Sequence, residues 1–275
     1  MDEACMLPVD KRPLALRTIF DQVADDYDAV RPSYPSQIIN DIISLAALPT
    51  HATIFEIGCG TGQATLPFAQ RGYQMTCIDI GPTLAARAAT NCQAYPNAHI
   101  HVGAFEDWPA QPNTFDLVMS ATAFHWIPPE IGYPKAATLL KNTGALAVFS
   151  NEHPTPFTDF FLDVQDVYQH IVPAWSSPQT STTIDERIAQ TAATIDATGL
   201  FAPVIVQTYP WFQSYTAQTY IQLLNTYSDH RNLETSIRTQ LHQSIAAVMD
   251  SKYNGVITKP YLAILYLAKK QQSTT

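Results

Sequence analysis

The stretch Thr53-Ile-Phe-Glu-Ile-Gly-Cys-Gly-Thr-Gly-Gln-Ala-Thr65 leaves the chain few ways to fold. Ile54, Phe55 and Ile57 form the short apolar run of a strand buried on both faces. Gly58, Gly60 and Gly62 follow, and a helical pattern opens at Ala64, Leu66, Pro67 and Phe68. Strand, glycine turn and helix in that order put a ligand site at a strand's carboxyl end, beside a helix N-terminus. Lacking Cβ atoms, such a turn can adopt positive φ and bring its amides within hydrogen-bonding distance of a ligand.

The register of the glycines narrows the ligand. A dinucleotide fingerprint needs a third glycine three residues after the second, and the two registers available here place Gln63 and Thr65 there. A P-loop ends in Gly-Lys-Ser/Thr, and no Lys follows this turn. What remains is Glu56-x-Gly58-x-Gly60-x-Gly62, and with it the chain resembles the class I S-adenosylmethionine-dependent methyltransferases, whose first motif has this form. The resemblance covers roughly residues 50 to 150 and implies S-adenosyl-L-methionine as cofactor.

Patterning along the chain agrees with an α/β fold, a doubly wound sheet with short strand–helix connections. Strands are predicted at about 53–57, 74–80, 99–102, 115–121, 145–150 and 204–209, the last continuing toward Phe212, with helices at about 84–94 and 129–141. The segment from Gly255 alternates enough to be an edge pair, with strand seven at about 261–268. Two helices, about 14–28 and 36–47, precede the first strand, and more at about 157–171, 184–198 and after Thr216 follow the core. The resemblance implies a single Rossmann-like, seven-stranded domain. Residues 1–48 are its helical cap, 49–150 its cofactor-binding core, and 151–275 its substrate lid and last strands, with lid helices inserted between strands six and seven.

Site candidates follow the strand ends. Asp79 closes strand two about 20 residues after the glycines, where a carboxylate can accept from both ribose hydroxyls. Ile80 is then expected to lie against the adenine face. In the family the acidic residue at the Glu56 position helps hold the loop and the cofactor's ammonium end. Gly103-Ala-Phe-Glu-Asp-Trp-Pro109 is similar to the family's Gly-Asp-Ala-Glu-Asp-x-Pro segment at the adenine edge; Ala104 departs from it, leaving Phe105, through its amide, and Glu106 or Asp107 as replacements.

Ser120-Ala-Thr-Ala-Phe-His-Trp126 resembles the Asn/Ser-x-x-Phe/Leu-His/Gln-Trp signature of a small-molecule branch similar to trans-aconitate methyltransferase. The resemblance adds Ser120 to the cofactor site and Trp126 to the acceptor site. It gives His125 two possible roles, orienting an acceptor oxygen or acting as base. Because members of that branch methylate carboxylates, an ester product is implied. Tyr27, Arg31 and Tyr34 belong to Tyr-Asp-x-x-Arg-Pro-x-Tyr-Pro, also seen in that branch, where Arg31 can grip a carboxylate bidentately. Tyr215 and Tyr227 are expected to supply aromatic surface for the acceptor.

The net charge of -9 and the absence of a concentrated basic face argue against nucleic acid. No apolar run is long enough for a bilayer and no signal-peptide pattern opens the chain, so a cytoplasmic monomer or homodimer with a small-molecule acceptor is expected. Four scattered cysteines suggest neither disulfides nor a metal site. The expected activity is methyl transfer to an acceptor oxygen, a carboxylate, by in-line displacement. Two alternatives stand beside it: a lyase or cyclase using the same sulfonium, and a non-catalytic cofactor-binding protein.

Overall fold

The computed structural model describes residue 21 and residues 24–109, 111–154, 157–176 and 182–272. Helix α1 (Ala24–Val30) leads through a Pro-rich turn to α2 (Ser36–Ala46). Most of the helix predicted at 14–28 lies outside the described residues; α1 continues two residues past its predicted end. Ile38, Ile39, Ile42 and Ala46 put one stripe of α2 into the core, and each fully buried isoleucine is worth about 1.5–3 kcal/mol there. Ala47, at φ 53°, ends the helix by sending its amide back to Ile43 and Ser44.

Seven strands form one sheet in the order β3-β2-β1-β4-β5-β7-β6. They are β1 (Thr53–Ile57), β2 (Gln74–Asp79), β3 (Ala98–Val102), β4 (Phe115–Ala121), β5 (Leu140–Glu152), β6 (Ile205–Thr216) and β7 (Val256–Lys269). β1 through β5 run parallel, connected by α3 (Thr65–Ala69), α4 (Pro82–Asn91) and α5 (Pro129–Leu139). Side chains of β1 alternate between two cores: Ile54 packs with α2, Phe68, Met75 and Leu117, while Phe55 and Ile57 pack on the other face with Ile78, Val118 and Tyr133.

Three predicted boundaries change. Residues 140–144, predicted as helix end and connection before a strand at about 145–150, are absorbed into β5, whose partners on β4 jump from Phe115↔Leu140 to Leu117↔Ala145. β6 runs on to Thr216, well past its predicted end. The edge pair expected after Gly255 is one long strand lying inside the sheet, antiparallel to both β5 and β6. β7 meets β5 only up to Glu152↔Leu262, but meets β6 as far as Thr216↔Val256. The β6–β7 ribbon therefore projects beyond the carboxyl edge of the sheet.

That projection carries the lid. Between β6 and β7 stand α8 (Ala217–Asn225), α9 (Ser228–Asn232) and α10 (Thr235–Lys252), as the inserted-lid expectation required. A Thr216/Thr219 capping box starts α8. Earlier in the chain α6 (Phe160–Ile171) and α7 (Ile184–Ala197) follow β5. Phe160, Phe161 and Val164 of α6 join Tyr215, Tyr220, Leu224, Leu241, Ile245 and Met249 in a third core, so α6 belongs to the lid as well.

Candidate active site

A cleft opens at the carboxyl end of β1 and β4. Its lining comes from the cap (Tyr27, Arg31, Pro32, Tyr34), from the glycine turn (Glu56, Gly58, Cys59, Gly60, Gln63, Ala64), from the ends of β4 and β5 (Ala121, Thr122, Asn151) and from the lid ribbon (Tyr227, Tyr261). Including its open mouth it encloses about 620 Å³.

The three glycines serve different ends. A Cβ on Gly58 would lie 2.4 Å from the Cβ of Ala123, so this glycine lets the turn after β4 close onto the end of β1. A Cβ on Gly62 would meet Ala88 and Cys92 at 3.6–3.7 Å, which makes Gly62 a packing point against α4 and takes it out of the cleft lining. Gly60 alone faces the cleft with its bare side, 3.6 Å below the ring of Tyr27.

Glu56 is fully buried at the floor of the cleft. Its Oε2 accepts from the Thr65 hydroxyl at 2.5 Å and the Cys77 thiol at 3.5 Å, while its Oε1 is buried without a partner. Burial, reinforced by nearby Asp79 and only partly offset by those two donors, raises its pKa to about 7. Asp79 uses one oxygen to accept from the Gly60 amide and the other from the Gly81 amide, each at 2.8 Å. It thereby clamps the first glycine turn to the turn that opens α4. Asp21 accepts from the amides of Thr83 and Leu84 at the start of α4.

Arg31 links cap and lid through Thr226, and its guanidinium lies 4.7 Å from the centroids of both the Tyr27 and Tyr227 rings. Tyr34 bonds Thr122 at 2.6 Å, and Asn91 ties Asp28 of α1 to the Thr61 carbonyl of the glycine turn. Asn151 and Tyr261 complete the wall. Asn151 accepts from the Trp211 indole at 3.0 Å, and Trp211 stacks on Tyr261 at 4.9 Å.

Several expected site residues stand elsewhere. Ser120 is fully buried and gives its hydroxyl to the Ile57 carbonyl at 2.9 Å, so it fastens β4 to β1 and leaves the cleft without it. Phe105 packs its ring on Phe55, and Glu106 is engaged through its carbonyl by Lys135 at 2.8 Å. His125 and Trp126 sit on a 3-10 turn (Phe124–Trp126), their rings 5.2 Å apart, and neither lines the cleft. Ile80 is half-buried at the end of β2, also outside the lining. Tyr215 is buried one layer back, its hydroxyl 3.0 Å from that of Tyr261.

Sequence reasoning passed over Gln63, Thr122, Asn151 and Tyr261. Asn151 and Thr122 could have been found from their position, since each stands at the carboxyl end of a parallel strand. Tyr261 carried no such signal, because its place depends on how far β7 outruns β5.

Among the described residues no helix is long and apolar enough to cross a membrane, and no group of three or more His, Cys, Asp and Glu residues could hold a metal ion.

Residues 54–144 match the methyltransferase domain family. An uncharacterised methyltransferase of Mycobacterium tuberculosis is 30% identical over 134 residues, 48% of this chain and 51% of that protein. A probable S-adenosylmethionine-dependent methyltransferase of Saccharomyces cerevisiae is 33% identical over 140 residues, 49% of this chain and 47% of that one. The trans-aconitate 2-methyltransferase of Deinococcus radiodurans is 31% identical over 88 residues, 32% of this chain and 33% of that enzyme. The chain thus spans about half the length of the first two relatives and a third of the last. In fold it is similar to a putative methyltransferase from an antibiotic biosynthesis pathway of Anabaena variabilis, with a TM-score of 0.58 at 16% identity over 86% of this chain and 98% of that one.

Proposed function

Proceeding from a methyltransferase domain over residues 54–144, we propose that the chain binds S-adenosylmethionine in the cleft and transfers its methyl group to a carboxylate oxygen of a small-molecule acceptor. The carrying observation is Oε1 of Glu56, a buried carboxylate oxygen without a partner on the floor of the cleft. A cationic ammonium satisfies it, and a buried polar atom left alone is costly enough that its partner is expected to come with the ligand.

The surrounding residues fit the rest of such a molecule. Gly60 offers a backbone without Cβ below Tyr27, and Asp79 holds that turn in place by accepting its amide. Asp79 stands at the end of β2 beside that turn, and in this reading its carboxylate is the group that meets the sugar hydroxyls. When bound, S-adenosylmethionine would supply an electrophilic methyl on a sulfonium. Tyr27, Tyr34, Tyr227 and Tyr261 wall the cleft with rings that exclude water and suit a reaction in which opposite charges disappear. Arg31 holds cap and lid together across it.

The acceptor assignment rests on the lining. Burial raises the pKa values of Tyr34 and Tyr261, which leaves both phenols as protonated donors, and this reading commits Glu56 to the cofactor's ammonium. A carboxylate is already ionised at neutral pH and needs only positioning by such donors. The trans-aconitate enzyme among the relatives agrees with that choice.

Calorimetric titration with S-adenosylmethionine and S-adenosylhomocysteine tests the cofactor, with saturable binding expected. Turnover with a panel of carboxylic acids should yield S-adenosylhomocysteine and a methyl ester. Absence of binding would overturn the reading, and methylthioadenosine as the sulfur product would replace methyl transfer by another use of the sulfonium.

A further inference from the structure

Beyond the cleft wall β5 ends at Glu152, and β7 continues toward the lid paired with β6 alone. Asn151 and Tyr261 line the cleft, and two residues further outward along the two strand paths come His153 and Lys259, about 7 Å on at a rise of about 3.3 Å per residue. Lys259 is only 5% exposed. Its ammonium lies 4.5 Å from the centroid of the Tyr261 ring and 5.4 Å from that of Phe161, and among the described residues it has no hydrogen-bond or salt-bridge partner. The acidic group acting on it is Glu152, which already pairs with Arg187 at 3.4 Å. Burial accordingly pulls the Lys259 pKa down to about 7, the mark of a cation lacking a counter-charge.

His153 shares the same aromatic wall, its ring 4.5 Å from that of Phe161 and 5.0 Å from that of Phe157. Its Nδ1 lies 2.9 Å from the Pro154 carbonyl and donates to it, while its Nε2 is buried without a partner. An ammonium set among aromatic rings without a counter-charge, two residues along β7 from the cleft wall, describes a subsite whose counterpart arrives with the ligand.

We propose that Lys259 anchors the acceptor: its ammonium pairs with a second anionic group of the acceptor, with Tyr261 dividing this subsite from the cofactor cleft. This rests on the methyltransferase reading and adds to it a requirement for a second acidic group. Lys259 is a positioning residue here and takes no part in bond making. Its neighbours fix the direction of the acceptor, because the β6–β7 ribbon carries Lys259 and Tyr261 on one face, as alternate residues of a strand.

The test is calorimetric titration of the whole protein with glutarate and adipate, with and without S-adenosylhomocysteine, for wild type, Lys259→Met and Lys259→Arg. Wild type is expected to bind at least one of the two acids, Lys259→Met about 30-fold or more weakly, and Lys259→Arg within about fivefold of wild type. All three should bind S-adenosylhomocysteine alike. Because Lys259→Met could alter folding, mass spectrometry of wild type labelled with acetic anhydride gives a second reading, and the acids should slow acetylation at Lys259. Equal binding by Lys259→Met, binding of neither acid by wild type, or unprotected acetylation overturns the assignment. Failure to bind S-adenosylhomocysteine strikes the cofactor reading instead, and the titrations without it still decide the role of Lys259.

Discussion

Arg31 donates from Nε to the Thr226 hydroxyl at 2.8 Å and from Nη2 to the Thr226 carbonyl at 2.7 Å. One side chain of the cap thereby holds the segment between α8 and α9, and does so along the rim of the cleft. A ligand enclosed beneath that tie leaves when it opens. Arg31→Lys keeps the charge and loses the planar fork, so one of the two bonds goes. A hydrogen bond to a charged group is worth about 1.5–3 kcal/mol, and S-adenosylhomocysteine should dissociate about ten- to a hundredfold faster. Stopped-flow tryptophan fluorescence measures this, and an unchanged dissociation rate would mean that cap and lid part elsewhere.

Gly58 and Ala123 make a contact that admits no side chain. Gly58→Ala adds a Cβ 2.4 Å from the Ala123 Cβ at a backbone φ of +68°, so two penalties combine. Replacing Ala123 by Gly removes the collision and leaves the φ strain, which is worth about 1–3 kcal/mol. Gly58→Ala should therefore destabilise strongly in urea denaturation, and the Gly58→Ala/Ala123→Gly double variant should recover part of the loss. Full additivity of the two substitutions would show that the chains move apart and that the contact does not constrain the turn.

The core was legible because its signals are local. Ile54, Phe55 and Ile57 before three glycines specify a buried strand and its turn whatever surrounds them, and Thr216 announced α8 through a cap made with Thr219. The site was half legible. Glu56, Gly60, Tyr27, Arg31 and Tyr227 are in the cleft because each is fixed by the first turn or by a short segment folding over it. For Ser120 and Gly62 a motif gives spacing without direction: the first turns its hydroxyl to Ile57, the second its bare side to α4. Tyr261 and Lys259 were hidden for another reason. Both owe their positions to the β6–β7 ribbon outrunning β5, a matter of pairing between residues about 40 to 50 apart in sequence, such as Trp211↔Tyr261 and Thr216↔Val256.

Acid should loosen the lid before the core. His230 is buried, with Nδ1 3.0 Å from His242 Nε2 and Nε2 3.0 Å from the Tyr168 hydroxyl. Burial, then the facing His242 and nearby Arg238, holds His230 well below its usual pKa, and burial with Arg238 holds His242 at about 4. Below the ordinary imidazole value of 6.5 the unfolded chain takes up protons that the folded pair refuses, so stability is highest above that pH and declines as pH falls toward about 4. His242→Gln should flatten the decline. Urea midpoints from pH 7 to 4 measure it, and identical slopes in variant and wild type would place the acid sensitivity in other groups.

Glu56 ties cofactor binding to protons in the opposite sense. Its pKa is raised to about 7, so between its ordinary value of 4.5 and about 7 the folded protein holds a proton that the unfolded chain has lost. The stability this contributes is fully present below 4.5 and is lost as pH rises through about 7. A bound ammonium at Oε1 favours the carboxylate, so association at pH 6 must expel that proton and association at pH 8 need not. Titrations of S-adenosylhomocysteine in two buffers of different ionisation enthalpy should show release approaching one proton at pH 6 and none at pH 8. Glu56→Gln should abolish the difference and weaken binding about ten- to a hundredfold, the worth of a hydrogen bond to a charged group. If Glu56→Gln binds as tightly as wild type at pH 8, the ammonium lies elsewhere and the orphaned oxygen serves only the fold.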